Sequence, residues 1–419
     1  MNFNLMSKTQ KEEQLRLLKA EYEKYKNMGL SLNMARGKPG KEQLDLSLGL
    51  LNPQLLGDFQ SECGFDVRNY GVLDGIPEMK AIFSQMLEVP EKNIIVFGNA
   101  SLNIMYDYIA QCMIFGAGDK PWASAEKVKF LCPVPGYDRH FGILEHFAIE
   151  MINIPMTEFG PDMDLIDSLI KDDDTVKGII LVPMYSNPGG ITYSDETVRR
   201  FASLKPKAKD FRVIWDNAYC VHHLSKNHDK LLNIFDIAKE NGTQDYFIEV
   251  TSTSKISFPG AGIACLAASD NNIASIKKRM TVQTIGHDKI NQLRHAAYFK
   301  DFNGIKEHMK KHAAILKPKF DMVLSILDSE LSECGIASWT RPNGGYFISL
   351  DVMPGTAKKC VELCRQAGVT LTGAGATYPY GKDPQNKNIR IAPTFPSTKE
   401  LETAVRILTL CVIIAALEG

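Results

Sequence analysis

The stretch Phe247-Ile248-Glu249-Val250-Thr251-Ser252-Thr253-Ser254-Lys255 decides the reading. A β-rich run, 247–250, gives way to four hydroxyl residues and then to one lysine. Lysine just beyond a buried strand is out of place as a solvated surface charge. Similar short apolar runs occur at 93–97, 128–132, 149–154, 178–182, 213–215 and 263–267. Helix-like segments such as 102–115 and 195–204 separate several of them. The alternation predicts an α/β fold, a mostly parallel seven-stranded sheet flanked by helices. In such sheets ligands gather beyond the carboxyl ends of the strands. The residues that follow each run therefore carry the functional signal.

Those residues form a series. Phe97 leads into Gly98-Asn99-Ala100-Ser101-Leu102, small residues opening a helix, where free backbone N–H groups favour a phosphate. Cys132 leads through Pro133-Val134-Pro135-Gly136 to Tyr137, an aromatic able to stack on a flat ring. Val182 leads to Tyr185-Ser186-Asn187-Pro188, with Asn187 held extended by the proline after it. Trp215 leads to Asp216-Asn217-Ala218-Tyr219, and an acid ending an apolar strand needs a cationic partner. The fifth is the run that ends at Lys255. A phosphate cradle, an aromatic plate, an amide, a buried acid and a buried amine are together the set that pyridoxal 5'-phosphate requires.

Composition narrows the alternatives. The chain has 419 residues, 48 Lys+Arg against 49 Asp+Glu, 44% hydrophobic and 23% charged residues. That balance excludes the basic footprint of a nucleic-acid binder and the charge runs of a disordered tail. It leaves a small molecule or a second copy of the chain as partner. Nine scattered cysteines fit reduced thiols and a cytoplasmic setting better than a disulfide framework. Cys360 and Cys364 lack further clustered ligands, so no metal site is expected. Met1–Met6 is too short for a secretory leader, and the apolar run 407–417 is too short to span a membrane. Residues 9–28 are expected to form an amphipathic helix with a Thr9/Glu12 capping box and Gly29 as its stop. Beyond residue 300 a long helix (304–327), strands near 345–350 and 388–391, and helices 357–366 and 398–417 suggest a smaller α+β domain. The expected division is 1–50 as N-terminal arm and part of the small domain, 51–305 as the large cofactor domain, and 306–419 as the C-terminal small domain.

Eight segments together resemble the class I/II pyridoxal-phosphate-dependent aminotransferases of fold type I, in particular the bacterial aspartate-aminotransferase-like group. They are N-M-A-R-G-K-P-G (33–40), R-N-Y-G-V-L-D-G-I-P-E (68–78), G-N-A-S-L (98–102), C-P-V-P-G-Y-D-R-H-F (132–141), Y-S-N-P-G-G (185–190), D-N-A-Y (216–219), T-S-T-S-K (251–255) and N-I-R-I-A-P (388–393). The resemblance spans nearly the whole chain. It implies that Lys255 bonds the cofactor and later moves the proton, and that Asp216 keeps the ring nitrogen protonated. Asn187 and Tyr219 would bond the phenolic oxygen and Tyr137 would stack on the ring. Ser101, Leu102 with the neighbouring backbone, and Ser252 would hold the phosphate. Tyr70 matches a tyrosine that reaches the partner subunit's phosphate, which implies a homodimer. Arg390 matches the arginine that clamps the substrate α-carboxylate, a task suited to a guanidinium fork. Many relatives carry a phosphate-binding arginine eight residues after the lysine; here that position is Ile263. Ser254, Ser257, a helix N-terminus or Lys289 would have to compensate.

The expected activity is ping-pong transfer of an amino group between an amino acid, aspartate or glutamate first, and a 2-oxo acid. A dicarboxylic substrate needs a second cation, for which Arg139, then Arg36, then Arg294 are the candidates. The same cofactor residues also serve β-lyases, racemases, decarboxylases and aminotransferases of non-dicarboxylic substrates. An aminotransferase-like effector-binding regulator is the remaining alternative; only about thirty residues precede the first of the quoted motifs, too few for a DNA-binding head. His222 and His223 are adjacent and point to different sides, so they are read as structural.

Overall fold

The computed structural model describes residues 6–419. The first five residues, on which most of the leader reading rests, lie outside the described residues. The strands are β1 (Leu32–Asn33), β2 (Ile94–Val96), β3 (Lys129–Val134), β4 (Glu150–Thr157), β5 (Gly160–Pro161), β6 (Val176–Leu181), β7 (Arg212–Asp216), β8 (Phe247–Ser252), β9 (Ala264–Ala268), β10 (Ala337–Trp339), β11 (Ile348–Val352), β12 (Val369–Thr370) and β13 (Asn388–Ile391). The large sheet runs β2-β9-β8-β7-β6-β3-β4-β5. Neighbours from β8 across to β4 are parallel, while β9, β2 and β5 join antiparallel. All seven expected strands are present. The eighth, β5, is two residues of Gly-Pro, which carry no β-propensity for a sequence reading to detect.

Period-two alternation sorts the sheet's side chains into two cores. Ile180, Ile214, Ile248 and Val250 face the layer of helices Ser101–Phe115 and Asp138–His146. Ile179, Val213, Trp215 and Phe247 face the layer of helices Asp195–Ala202 and Ile234–Asn241. Both faces are therefore covered. The strands read as continuous apolar runs for that reason. Asp216, two residues after Ile214, lies on the first face; Trp215 and Asn217 lie on the second.

A further core joins the two ends of the chain. Strand β1 pairs parallel with β12, and β10-β11-β13 form an antiparallel sheet. Helices Lys8–Lys26, Phe302–Leu331, Ala357–Gln366 and Thr398–Glu418 pack around these strands. The cap of the N-terminal helix lies two residues before the expected one. Ser7, not Thr9, is the cap, and Gln10 completes the capping box. Asn27 ends the helix, and Gly29 turns the chain beyond it at φ +62°. Tyr22 is buried in this core, with its hydroxyl donating to the Leu363 carbonyl at 2.9 Å. Cys360, Cys364 and Cys411 are fully buried beside it, and no metal-binding cluster occurs among the described residues. No helix of the described residues is long and apolar enough to cross a membrane.

Two buried acids, one just before β7 and one on β8, are handled in opposite ways. Asp210 accepts from Lys177 Nζ and from Trp122 Nε1, both at 2.8 Å, so its charge is paired. Glu249 on β8 forms no ion pair among the described residues and accepts only the Asn217 amide, at 2.9 Å. Burial pushes its carboxyl up to about 8. The native state thus holds a proton that the unfolded chain releases near 4.5, and stability falls as pH rises from there to about 8. Glu249→Gln keeps the Asn217 hydrogen bond and removes that titration. Urea unfolding is expected to find the variant more stable than the parent at pH 8, by roughly 3 kcal/mol, and nearly equal at pH 4.5. An equal difference at both values would refute the buried-acid account.

Candidate active site

The residues after β3, β6, β7 and β8 converge at the carboxyl edge of the sheet, as the strand-end series predicts. Asp216 ends β7 and is 3% exposed. Its Oδ2 meets His140 Nε2 at 3.0 Å, while Oδ1 is buried with no partner. An unpaired buried carboxylate oxygen is costly, so this atom marks a place where a ligand's N–H belongs. Lys255 follows β8 in a turn. Its Nζ lies 4.9 Å from the Tyr219 ring centroid and 5.8 Å from that of Tyr346. Burial holds its amine below the usual lysine range, with Asp216 pulling the other way. Tyr219 is buried and stacked on Tyr346 at 6.0 Å. Burial raises its phenol well above the ordinary value, so it stays a neutral donor.

Tyr137 caps the Asp138–His146 helix and meets the His140 ring edge-on at 4.9 Å. Arg390 on β13 is 5% exposed and reaches in from the small sheet. Its Nη1 donates to Asp138 Oδ1 at 2.9 Å and to Asn187 Oδ1 at 3.3 Å. Its Nη2 donates to Thr372 Oγ1 at 3.1 Å, and Nε is buried without a partner. The guanidinium lies 5.0 Å over the Phe347 ring. The Asn187–Pro188 bond is cis.

Ser101 and Leu102 open the Ser101–Phe115 helix, whose cap residue Ala100 has no side chain to satisfy the first N–H groups. Ser254 Oγ donates to the Asn99 carbonyl at 3.0 Å and accepts from Ser252 Oγ at 3.1 Å. The lysine turn and this helix N-terminus are thereby joined into one cradle, adapted to an anion. Ser257 does not belong to it. Its hydroxyl is spent on Thr253 and on His295 Nε2 at 2.8 Å. Ile263 is core, and its N–H donates to Thr253 Oγ1 at 2.9 Å. Lys289 bonds the His287 carbonyl at 2.8 Å and lines a separate cleft of about 410 Å³ with Arg68 and Tyr70. Tyr70 is 79% exposed there and does not join the other site residues within this chain.

The three candidate arginines part company. Arg139 is exposed on the first turn of its helix, near enough for its charge to act on the Tyr137 phenol. Arg36 is exposed but belongs to a segment tied to Arg390. Ala35 accepts from Thr372 Oγ1, and Gly37 packs so closely on Phe347 that a Cβ would sit 2.4 Å from its ring. Arg294 is half-buried and donates to Asn291 Oδ1. His222 is buried against Tyr219 and Tyr346, with both ring nitrogens unpartnered, and His223 faces the Tyr185 hydroxyl at 2.9 Å. Sequence reasoning assigned no part to His140, Asp138, Thr372 and Tyr346. For His140 a signal existed: it lies three residues after Tyr137, one helical turn along the same face.

A family model described as aspartate amino-transferase matches residues 6–419. The chain belongs to the aspartate aminotransferase family. An aspartate aminotransferase of Corynebacterium glutamicum is 47% identical over 403 residues, 96% of this chain and 93% of the relative. The crystal structure of an aspartate transaminase from Corynebacterium glutamicum superposes with a TM-score of 0.97 at 45% identity, covering 100% of this chain and 99% of that one. The α-aminoadipate aminotransferase LysN of Thermus thermophilus, solved with a phosphopyridoxyl-leucine adduct, shares the fold at a TM-score of 0.76 and 18% identity, covering 93% of this chain and 94% of that one. The fold is therefore that of the fold type I aminotransferases. The chain is an enzyme that transfers an amino group between an amino acid and a 2-oxo acid.

Proposed function

We propose that this aminotransferase acts on a dicarboxylic amino acid, aspartate or glutamate, with pyridoxal 5'-phosphate held by the strand-end residues. The unpartnered Asp216 Oδ1 opposite the buried Lys255 amine carries the reading. These residues fit the cofactor. Asp216, oriented by His140, would hold a proton on the ring nitrogen. Tyr137 would cover the ring, Asn187 and Tyr219 would donate to its phenolic oxygen, and Ser101, Leu102, Ser252 and Ser254 would take the phosphate. When bound, the cofactor supplies a covalent link for the substrate nitrogen and an electron sink. Lys255 then removes the α-proton and returns it elsewhere, a task for an amine whose pKa burial has lowered. Arg390 binds the α-carboxylate through the fork that Asp138 and Thr372 orient. Its place beside Asn187 keeps the substrate and the phenolic oxygen in register.

For the second carboxylate Arg36 is better supported than Arg139, because its segment contacts the Thr372 and Phe347 that frame Arg390. A donor–acceptor screen on the loaded enzyme, beginning with aspartate and 2-oxoglutarate, tests the substrate class. Arg36→Ala is expected to raise KM for aspartate about tenfold or more, while alanine is affected less than twofold; losing one charged hydrogen bond costs about 1.5–3 kcal/mol. Equal losses on both substrates would set Arg36 aside, and a selective loss in Arg139→Ala would restore Arg139. The active form proposed is a cytoplasmic homodimer in which Tyr70 reaches the partner subunit's phosphate site. Exposed Tyr70, Val282, Ile285 and Ile290 support an apolar contact there, and the free, mostly buried thiols suit a reducing compartment.

A further inference from the structure

A second cavity, of about 1270 Å³, lies on the opposite face of β7 from Asp216. Side chains alternate along a strand, so Trp215 and Asn217 face away from the active site. The register of β7 on β8 sets Glu249 beside Trp215 on that face. All three line the cavity, and Met309, Ala313 and Pro318 of the Phe302–Leu331 helix form its far wall. A space of this size accommodates a small organic ligand.

The lining is graded from floor to mouth. On the floor, Asn217 is 7% exposed; its Nδ2 is spent on Glu249 and its Oδ1 is buried with no partner. An unsatisfied buried amide oxygen is costly, so the floor favours a ligand that donates a hydrogen bond. Glu249, neutral at physiological pH, brings a proton of its own to donate. A group that both donates and accepts satisfies the pair, which is the property of a hydroxyl and not of an ammonium. The middle is apolar, with Met184, Trp215, Leu231 and Met309. At the mouth Lys226, Lys230 and Lys306 are exposed and form no ion pair among the described residues. Glu88 and Asp229 also line the cavity, but five lysines, with Lys310 and Lys317, outnumber them, so the net charge matches an anion.

We propose that this cavity binds a hydroxyaryl carboxylate. The hydroxyl sits between Asn217 and Glu249, the ring lies on Trp215 and Met309, and the carboxylate faces the lysines at the mouth. The site is separate from the one that carries the amino-transfer chemistry and stands whichever amino acid that site takes.

Calorimetric titration of the cofactor-loaded enzyme with 4-hydroxyphenylacetate tests it, with phenylacetate as the probe lacking the hydroxyl. One molecule is expected to bind per chain, both in the parent enzyme and in Arg390→Ala, where the active-site clamp for carboxylates is gone. Phenylacetate is expected to bind about tenfold more weakly, the cost of leaving the floor unpaired. Ala313→Trp fills the cavity and is expected to abolish binding; if that variant does not fold, Ala314→Trp, on an exposed lining position, replaces it. Lys306→Glu is expected to weaken binding about fivefold, as for a solvent-exposed ion pair. No heat in the parent enzyme overturns the proposal. So does binding that survives the tryptophan variant, binding lost in Arg390→Ala, or equal affinity for the two probes.

Discussion

Lys255→Ala is expected to lower kcat by about 10⁴-fold or more, the upper range for a positioned acid–base group, since the same amine also forms the covalent link. The reason lies in its setting. The amine lies beside the Tyr219 and Tyr346 rings, where burial disfavours its charge, and Asp216 is the acid that acts on it across the site. Alanine leaves the rings in place and deletes only the amine. Cofactor should still bind through the phosphate cradle, but the visible absorbance of the lysine-linked form should vanish. Spectra and single-turnover rates on the loaded variant decide the matter, and a variant that kept both colour and turnover would end the assignment of Lys255.

The second large effect is expected at Asp216. Asp216→Asn preserves shape and can still accept from His140, but it would remove the charge proposed to face the ring nitrogen. The loss of one preorganised electrostatic contact to developing charge costs about 10²–10³ in kcat. Cofactor affinity, followed by equilibrium dialysis, should change far less than kcat. If the amide variant retained a tenth or more of the parent kcat, the unpartnered Oδ1 would need a different explanation, such as an ordered water.

How much of this was readable from the residues follows from where the information resides. Period-two alternation and apolar runs are local, so the seven main strands and their covered faces could be read directly. The residues at strand ends were legible because an α/β sheet sends its ligand-binding groups there. Contacts between distant segments leave no local trace. Asp138 and Arg390 are 252 residues apart, and nothing in either segment announces their pairing. Arg139 shows the opposite hazard. It is near Tyr137 in sequence and exposed, and Arg36, far away in sequence, is also exposed but sits in a segment that Thr372 ties to Arg390. Ser257 was a hydroxyl in the right run, yet His295 claims it. The Ser7 cap and β5 differ from expectation because serine, glycine and proline are compatible with several local structures.

The pairing of Leu32 with Val369 has a consequence for the order of manufacture. During synthesis the N-terminal helix and β1 leave the ribosome long before their partners exist. At roughly 5–20 residues per second they wait on the order of 17–70 s for β12, and longer for the Thr398–Glu418 helix that covers Tyr22. Through that interval the apolar stripe of Leu15, Leu18 and Tyr22 has no native cover. The half of the molecule that supplies Arg390 therefore cannot close until translation is nearly done, and nascent chains stalled before residue 369 will present that stripe to whatever chaperone attends them.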